Sequence, residues 1–183
     1  MYKSKILILF FIASEAFFFL ALIISYVYYT HSGRDLADTA QYLNFSRTAL
    51  FTIFLLASSL TIWLVGKARE NKDRNFRLFW LILTFLLGVV FLFGQGSEYV
   101  RLVRTDITIS QNVFGSAFFT LTGFHGIHVI IGLIILFILV LMMLSKRFKP
   151  VESTVLESAS LYWHFVDAVW IVVFSVVYIG AIL

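Results

Sequence analysis

The sequence contains no cysteine and a single proline, Pro150. Disulfides and thiolate metal sites are therefore excluded. Charge is also scarce. Asp, Glu, Lys and Arg make up 13% of the chain, against roughly one quarter in a soluble domain. There is no phosphate-binding loop, no nucleophile elbow, no internal repeat and no low-complexity tract. The chain has four histidines, too few to supply both axial haem ligands and a histidine-rich copper site.

Apolar residues fill the space that charge leaves. The chain is 61% hydrophobic and 18% aromatic, with 21 phenylalanines among its 183 residues, and its mean hydropathy is +0.95. These values identify an integral membrane protein. Five apolar runs are long enough to cross hydrocarbon about 30 Å thick, which takes roughly 20 helical residues. They are expected near Ile6–Tyr29, Phe45–Val65, Phe76–Val103, Val113–Leu144 and Ser158–Leu183. The fold class is thus all-α: one domain over residues 1–183, a bundle of five transmembrane helices. No small-residue cleavage site closes the first run, so it reads as a retained helix and not a signal peptide.

The connections are short, and their charge sets orientation. One side carries Lys3, Lys5, Lys67, Arg69, Lys72, Arg74, Arg77, Lys146, Arg147 and Lys149; the other carries only Arg34, Arg47, Arg101 and Arg104. The positive-inside bias places the N-terminus in the cytoplasm and the C-terminus outside. The net charge of +4 is explained by these loops and does not indicate nucleic-acid binding. A turn is expected around Ser32-Gly33, and Pro150 suits a helix exit.

The informative residues are the polar ones inside the spans, since each is costly in hydrocarbon without a partner. At 1.5 Å per residue, Glu15 lies about 15 Å into the first span, and His125 and His128 roughly 18–24 Å into the fourth. His164 and Asp167 lie about 9–14 Å into the fifth. These depths predict one shared mid-membrane layer. Glu98, in Q-G-S-E-Y, sits nearer the outer interface.

Each of these residues admits two readings. Glu15 is either a protonated carboxyl hydrogen-bonded in the bundle or an acid that handles protons. His125 and His128, three apart and so near one helix face, suit hydrogen bonds between helices better than metal ligation. His164 and Asp167 suit a local orienting pair on their own helix. Glu98 suits an interfacial partnership with Arg101 or Arg104. A metal site built from Glu15, His125, His128, His164 and Asp167 is chemically possible, but no Glu-x-x-His pair of the di-metal bundles is present. The phenylalanines serve packing and the lipid-facing surface. Trp63, Trp80 and Trp163 are placed as interfacial anchors, and the deeper Trp170 in a helix contact.

At these same residues the chain resembles subunit III of the haem–copper oxygen reductases, the cytochrome c and quinol oxidases. I-A-S-E-A-F-F-F, with Glu15, resembles that family's glutamate-bearing third helix. Q-G-S-E-Y, with Glu98, is similar to its fifth. F-G-S-A-F-F-T-L-T-G-F-H-G-I-H-V-I-I-G is similar to its sixth, and Y-W-H-F-V-D-A-V-W to its seventh. The common form has seven helices and this chain begins at what resembles the third. The likeness is therefore to the short five-helix form of bacterial plasma-membrane enzymes.

The resemblance implies an accessory, non-redox subunit of an oxidoreductase complex that reduces oxygen to water. On this reading the chain carries no catalytic residue and no haem, copper or other metal, which belong to the partner catalytic subunit I. It packs on that subunit among the other oxidase subunits, supports its proton uptake, protects it from inactivation during turnover and binds phospholipid. Glu15 resembles the family's intramembrane acid, and His125, His128, His164 and Asp167 would hold the polar core together. Two alternatives use the same polar groups: a membrane metalloenzyme and a small proton transporter.

Overall fold

The computed structural model describes residues 2–32, 43–67, 74–105, 107–109, 113–145 and 153–180. Five long helices account for nearly all of them: α1 (Tyr2–Ser32), α2 (Phe45–Lys67), α3 (Arg74–Arg104), α4 (Val113–Leu144) and α5 (Ser153–Phe174). A π-helical turn, Ser175–Ile179, continues α5. No strand occurs among the described residues. Each of the five is long and apolar enough to cross a membrane, as the hydropathy predicts.

The expected boundaries hold to within a few residues, with two differences. Helix α3 begins at Arg74, not Phe76, and the Arg74 side chain bridges to α4. Its Nε donates to the Met143 carbonyl at 3.0 Å, at the end of α4, where helical carbonyls lack partners within their own helix. Helix α5 begins at Ser153, not Ser158. Its expected end at Leu183 lies outside the described residues, as do Pro150 and Gly33 of the expected turn, and Ser32 is the last residue of α1.

Neighbouring helices in the chain run antiparallel, as short connections require. The contacts close a ring, α1–α4–α3–α2–α5–α1, with α4 and α5 also packed on each other across it. These two are the most enclosed, with 44% of their most apolar windows buried, against 6% for α1. Helix α1 is therefore peripheral, and Phe10 and Phe17 face outward from it. Such an apolar exterior suits hydrocarbon and exceeds what a soluble monomer displays.

Tryptophan organises the interior. Trp163 is placed by hydropathy as an interfacial anchor, yet it is buried. Glycines on two other helices make the room for it. A Cβ at Gly88 of α3 or Gly132 of α4 would come within 2.8 Å of the Trp163 indole. The ring occupies the gap that these two glycines leave, and its Nε1 donates to Ser58 Oγ of α2 at 2.9 Å. Four helices thus meet at one side chain. Trp170, two turns on, is buried in a helix contact as expected, and donates to Thr52 Oγ1 of α2 at 3.0 Å. Trp63 is exposed, with Lys67 Nζ 4.1 Å from its ring centroid, while Trp80 is half-buried.

Candidate functional site

The polar residues that the sequence singles out do not converge on one cluster among the described residues. The structure distributes them over four places in the bundle, and no three His, Asp or Glu side chains among the described residues group closely enough to hold a metal ion.

The first place is the seam between α1 and α4. His128 Nε2 lies 3.0 Å from Glu15 Oε2, and His128 Nδ1 lies 2.7 Å from the Phe124 carbonyl oxygen of its own helix. A carbonyl only accepts, so Nδ1 carries a proton and donates it. One further proton is then shared between Nε2 and Oε2. The pair is either imidazole with a carboxylic acid or imidazolium with a carboxylate. Tyr162 of α5 joins it by donating its hydroxyl to the His128 carbonyl at 3.1 Å. The edge of Phe19 closes over the imidazole, with ring centroids 4.9 Å apart. Hydrogen bonding between helices is what the spacing predicts for His128, and it is what the structure contains.

His125 departs from that expectation. It is fully buried, and neither ring nitrogen has a hydrogen-bond partner among the described residues. The reason is angular. Three residues along a helix turn the side chain by about 60°, away from Glu15 and into a cage of rings. His125 stacks on Trp170 at 4.7 Å and 29°. Phe91 meets its edge at 6.0 Å and Phe19 at 6.4 Å. The imidazole serves here as an aromatic plate joining α1, α3, α4 and α5.

The third place is the seam between α2 and α5. His164 Nδ1 and Ser59 Oγ are 2.7 Å apart. The expected local pairing of His164 with Asp167 is not made. The Asp167 carboxylate is buried, with neither oxygen in strict hydrogen-bond geometry. The Ser59 hydroxyl is its hydrogen-bonding neighbour, so Ser59 stands between Asp167 and His164. Serine on the neighbouring helix competes for His164, and within α5 the Asp167 side chain leans toward the bundle interior.

Glu98 forms the fourth place, and there the expected partner is the one found. Arg101 Nε donates to Glu98 Oε2 at 3.2 Å, and an Arg101 terminal nitrogen bonds Oε1. The Asn44 backbone N–H also donates to Oε1, at 3.2 Å. Asn44 caps α2, its side-chain oxygen accepting from the Arg47 N–H at 3.0 Å. Glu98 therefore ties α3 to the positive end of the α2 dipole.

Sequence reasoning missed the neutral partners. Ser58, Ser59 and Thr52 of α2 receive α5, and Gln95 with Tyr99 on α3 grips α4. Gln95 Nε2 donates to the Thr122 carbonyl at 2.8 Å, and the Tyr99 and Thr122 hydroxyls lie 2.8 Å apart. The signal was present: each is a hydroxyl or amide within a run apolar enough to span a membrane.

Comparison with known proteins extends this picture to the whole chain. Residues 3–182 match the family model described as cytochrome c oxidase subunit III. The Corynebacterium diphtheriae protein named cytochrome c oxidase subunit 3 is 39% identical over 174 residues, covering 92% of this chain and 83% of its own. The Mycobacterium leprae protein named probable cytochrome c oxidase subunit 3 is 35% identical over 167 residues, with 91% and 83% covered. A more distant organism, Papio hamadryas, has a cytochrome c oxidase subunit 3 that is 40% identical over 129 residues, covering 70% of this chain and 48% of its own. A five-helix bundle of this composition, matched to one family model over almost its full length, belongs to the cytochrome c oxidase subunit III family.

Proposed function

We propose that the chain is the accessory, non-redox subunit of a terminal haem–copper oxygen reductase in an aerobic respiratory chain. It sits in a bacterial plasma membrane with its N-terminus in the cytoplasm, and its five helices correspond to helices three to seven of the family's longer form. It packs against the catalytic subunit I, which holds the haem and copper, sustains proton uptake there and protects that subunit during turnover. Phospholipid occupies its outer surface.

The observation that supports this reading best is the use to which the buried polar groups are put. Glu15 with His128, Ser59 with His164, and Glu98 with Arg101 and Asn44 each join two elements of the fold or brace a helix end. That is the design of a scaffold whose polar interior holds helices together. The test is affinity capture of the chain in mild detergent, followed by an optical spectrum and identification of its companions. Haem absorbance and a larger histidine-rich membrane protein should accompany it. Recovery of the chain alone, or with steady ion flux when reconstituted by itself, would refute the proposal.

A further inference from the structure

His164 differs from His125 and Asp167 in being only partly buried. Its Nδ1 is paired with Ser59. Its Nε2 makes no hydrogen bond to another described residue, and the side chain is only partly buried at the α2–α5 seam. The residue lies roughly 14 Å along the α5 span that begins at Val155, well inside hydrocarbon. Its outward neighbours on α5 are Leu161, Ala168 and Ile171, all exposed, and they share its side of the helix.

Other outward polar groups solve this problem within their own helix. Ser14 donates to the Phe11 carbonyl at 2.7 Å, and Ser175 to the Ile171 carbonyl at 2.7 Å. Imidazole Nε2 cannot reach its own backbone in this way. Lipid tails offer it no partner, and an unmatched ring nitrogen in hydrocarbon is unfavourable. A group on another membrane-spanning helix removes that cost.

We propose that the α2–α5 face around Ser59 and His164 is where a membrane-spanning helix of a partner subunit docks, presenting a hydrogen-bonding side chain to His164 Nε2. The inference rests on reading the chain as one subunit of an oxidase complex, and it adds which side of the bundle is covered.

A photoreactive amino acid placed at Leu161 tests it, with Phe10 of α1 and Phe93 of α3, both exposed, as controls. Irradiation of native membranes should link the Leu161 position to a different polypeptide that purifies with haem, and leave the control positions linked to lipid. In parallel, His164→Leu should lower recovery of the haem fraction roughly tenfold, the scale of one unsatisfied buried polar group on the partner. His164→Asn should restore part of it. Adducts at Leu161 with lipid only, or with a second copy of this chain, overturn the proposal. So do adducts from Phe10 or Phe93 to the haem protein when Leu161 gives none, a result that leaves the oxidase reading standing and moves the docking face. A chain that never accompanies haem refutes both.

Discussion

Glu15 and His128 are 113 residues apart in the chain and 3.0 Å apart in the fold. They supply the main polar link between the peripheral α1 and the enclosed α4, and the proton they share keeps both satisfied. Glu15→Gln preserves shape and hydrogen bonding to a neutral imidazole, so thermal stability in detergent and assembly should change little. Glu15→Ala leaves His128 Nε2 without a partner and should destabilise the bundle by about 1–3 kcal/mol. A thermal shift series on the two variants measures the difference. Loss of assembly in Gln but not in Ala would contradict this account.

His125 should behave in the opposite way to its neighbour. With no hydrogen bond to lose, His125→Leu removes an unpaired buried polar ring and keeps apolar bulk, although it gives up the stack on Trp170, worth about 0.5–1.5 kcal/mol. The net effect on thermal stability should be small. His128→Leu leaves the Glu15 carboxyl in hydrocarbon and should be clearly destabilising. Equal losses in the two variants would mean that His125 makes a polar contact in the assembled protein.

These two histidines show where sequence reasoning reaches its limit. The spans were legible because about 20 apolar residues in a row have few other uses. The importance of Glu15 and the histidines was legible because ionisable groups are rare in such runs. Which of them meet was not. Similar depth allowed a common layer, but depth ignores direction around each helix axis, and that direction sends His128 to Glu15 and His125 to Trp170. Glu98 with Arg101 was legible because its partner lies one turn away in the same helix. Trp163 was misplaced for a related reason: Gly88 and Gly132, which make room for it, are on other helices.

The glycine pocket gives a sharp packing test. Gly132→Ala brings a methyl within 2.8 Å of the Trp163 ring, and overpacking of this kind costs about 1–3 kcal/mol. Gly96 has nothing within 4 Å of the added carbon. There the same change should be neutral or stabilising, by up to about 1 kcal/mol from helix propensity. Melting temperatures of the two variants should therefore move apart, and a fall of equal size in both would show that Trp163 is not held between the two helices.

The Glu98 anchor predicts an asymmetry between its two partners. Glu98 is buried, whereas the Arg101 side chain is 33% exposed, so solvent screens part of their attraction. Removing the arginine leaves a carboxylate that still accepts from the Asn44 N–H. Removing the carboxylate takes the acceptor from the N–H of Asn44, which caps α2. Glu98→Ala should therefore cost more than Arg101→Met, with the larger loss on the order of 1–3 kcal/mol. In the double variant the two effects should fall short of additivity, because residues that share partners couple. The same cycle run with Asn44→Ala, which removes the side-chain cap but keeps the backbone N–H, should be additive with Arg101→Met. Strong coupling there would mean that the cap and the ion pair form one unit, and that α2 and α3 are joined through the Asn44 side chain and not through its amide.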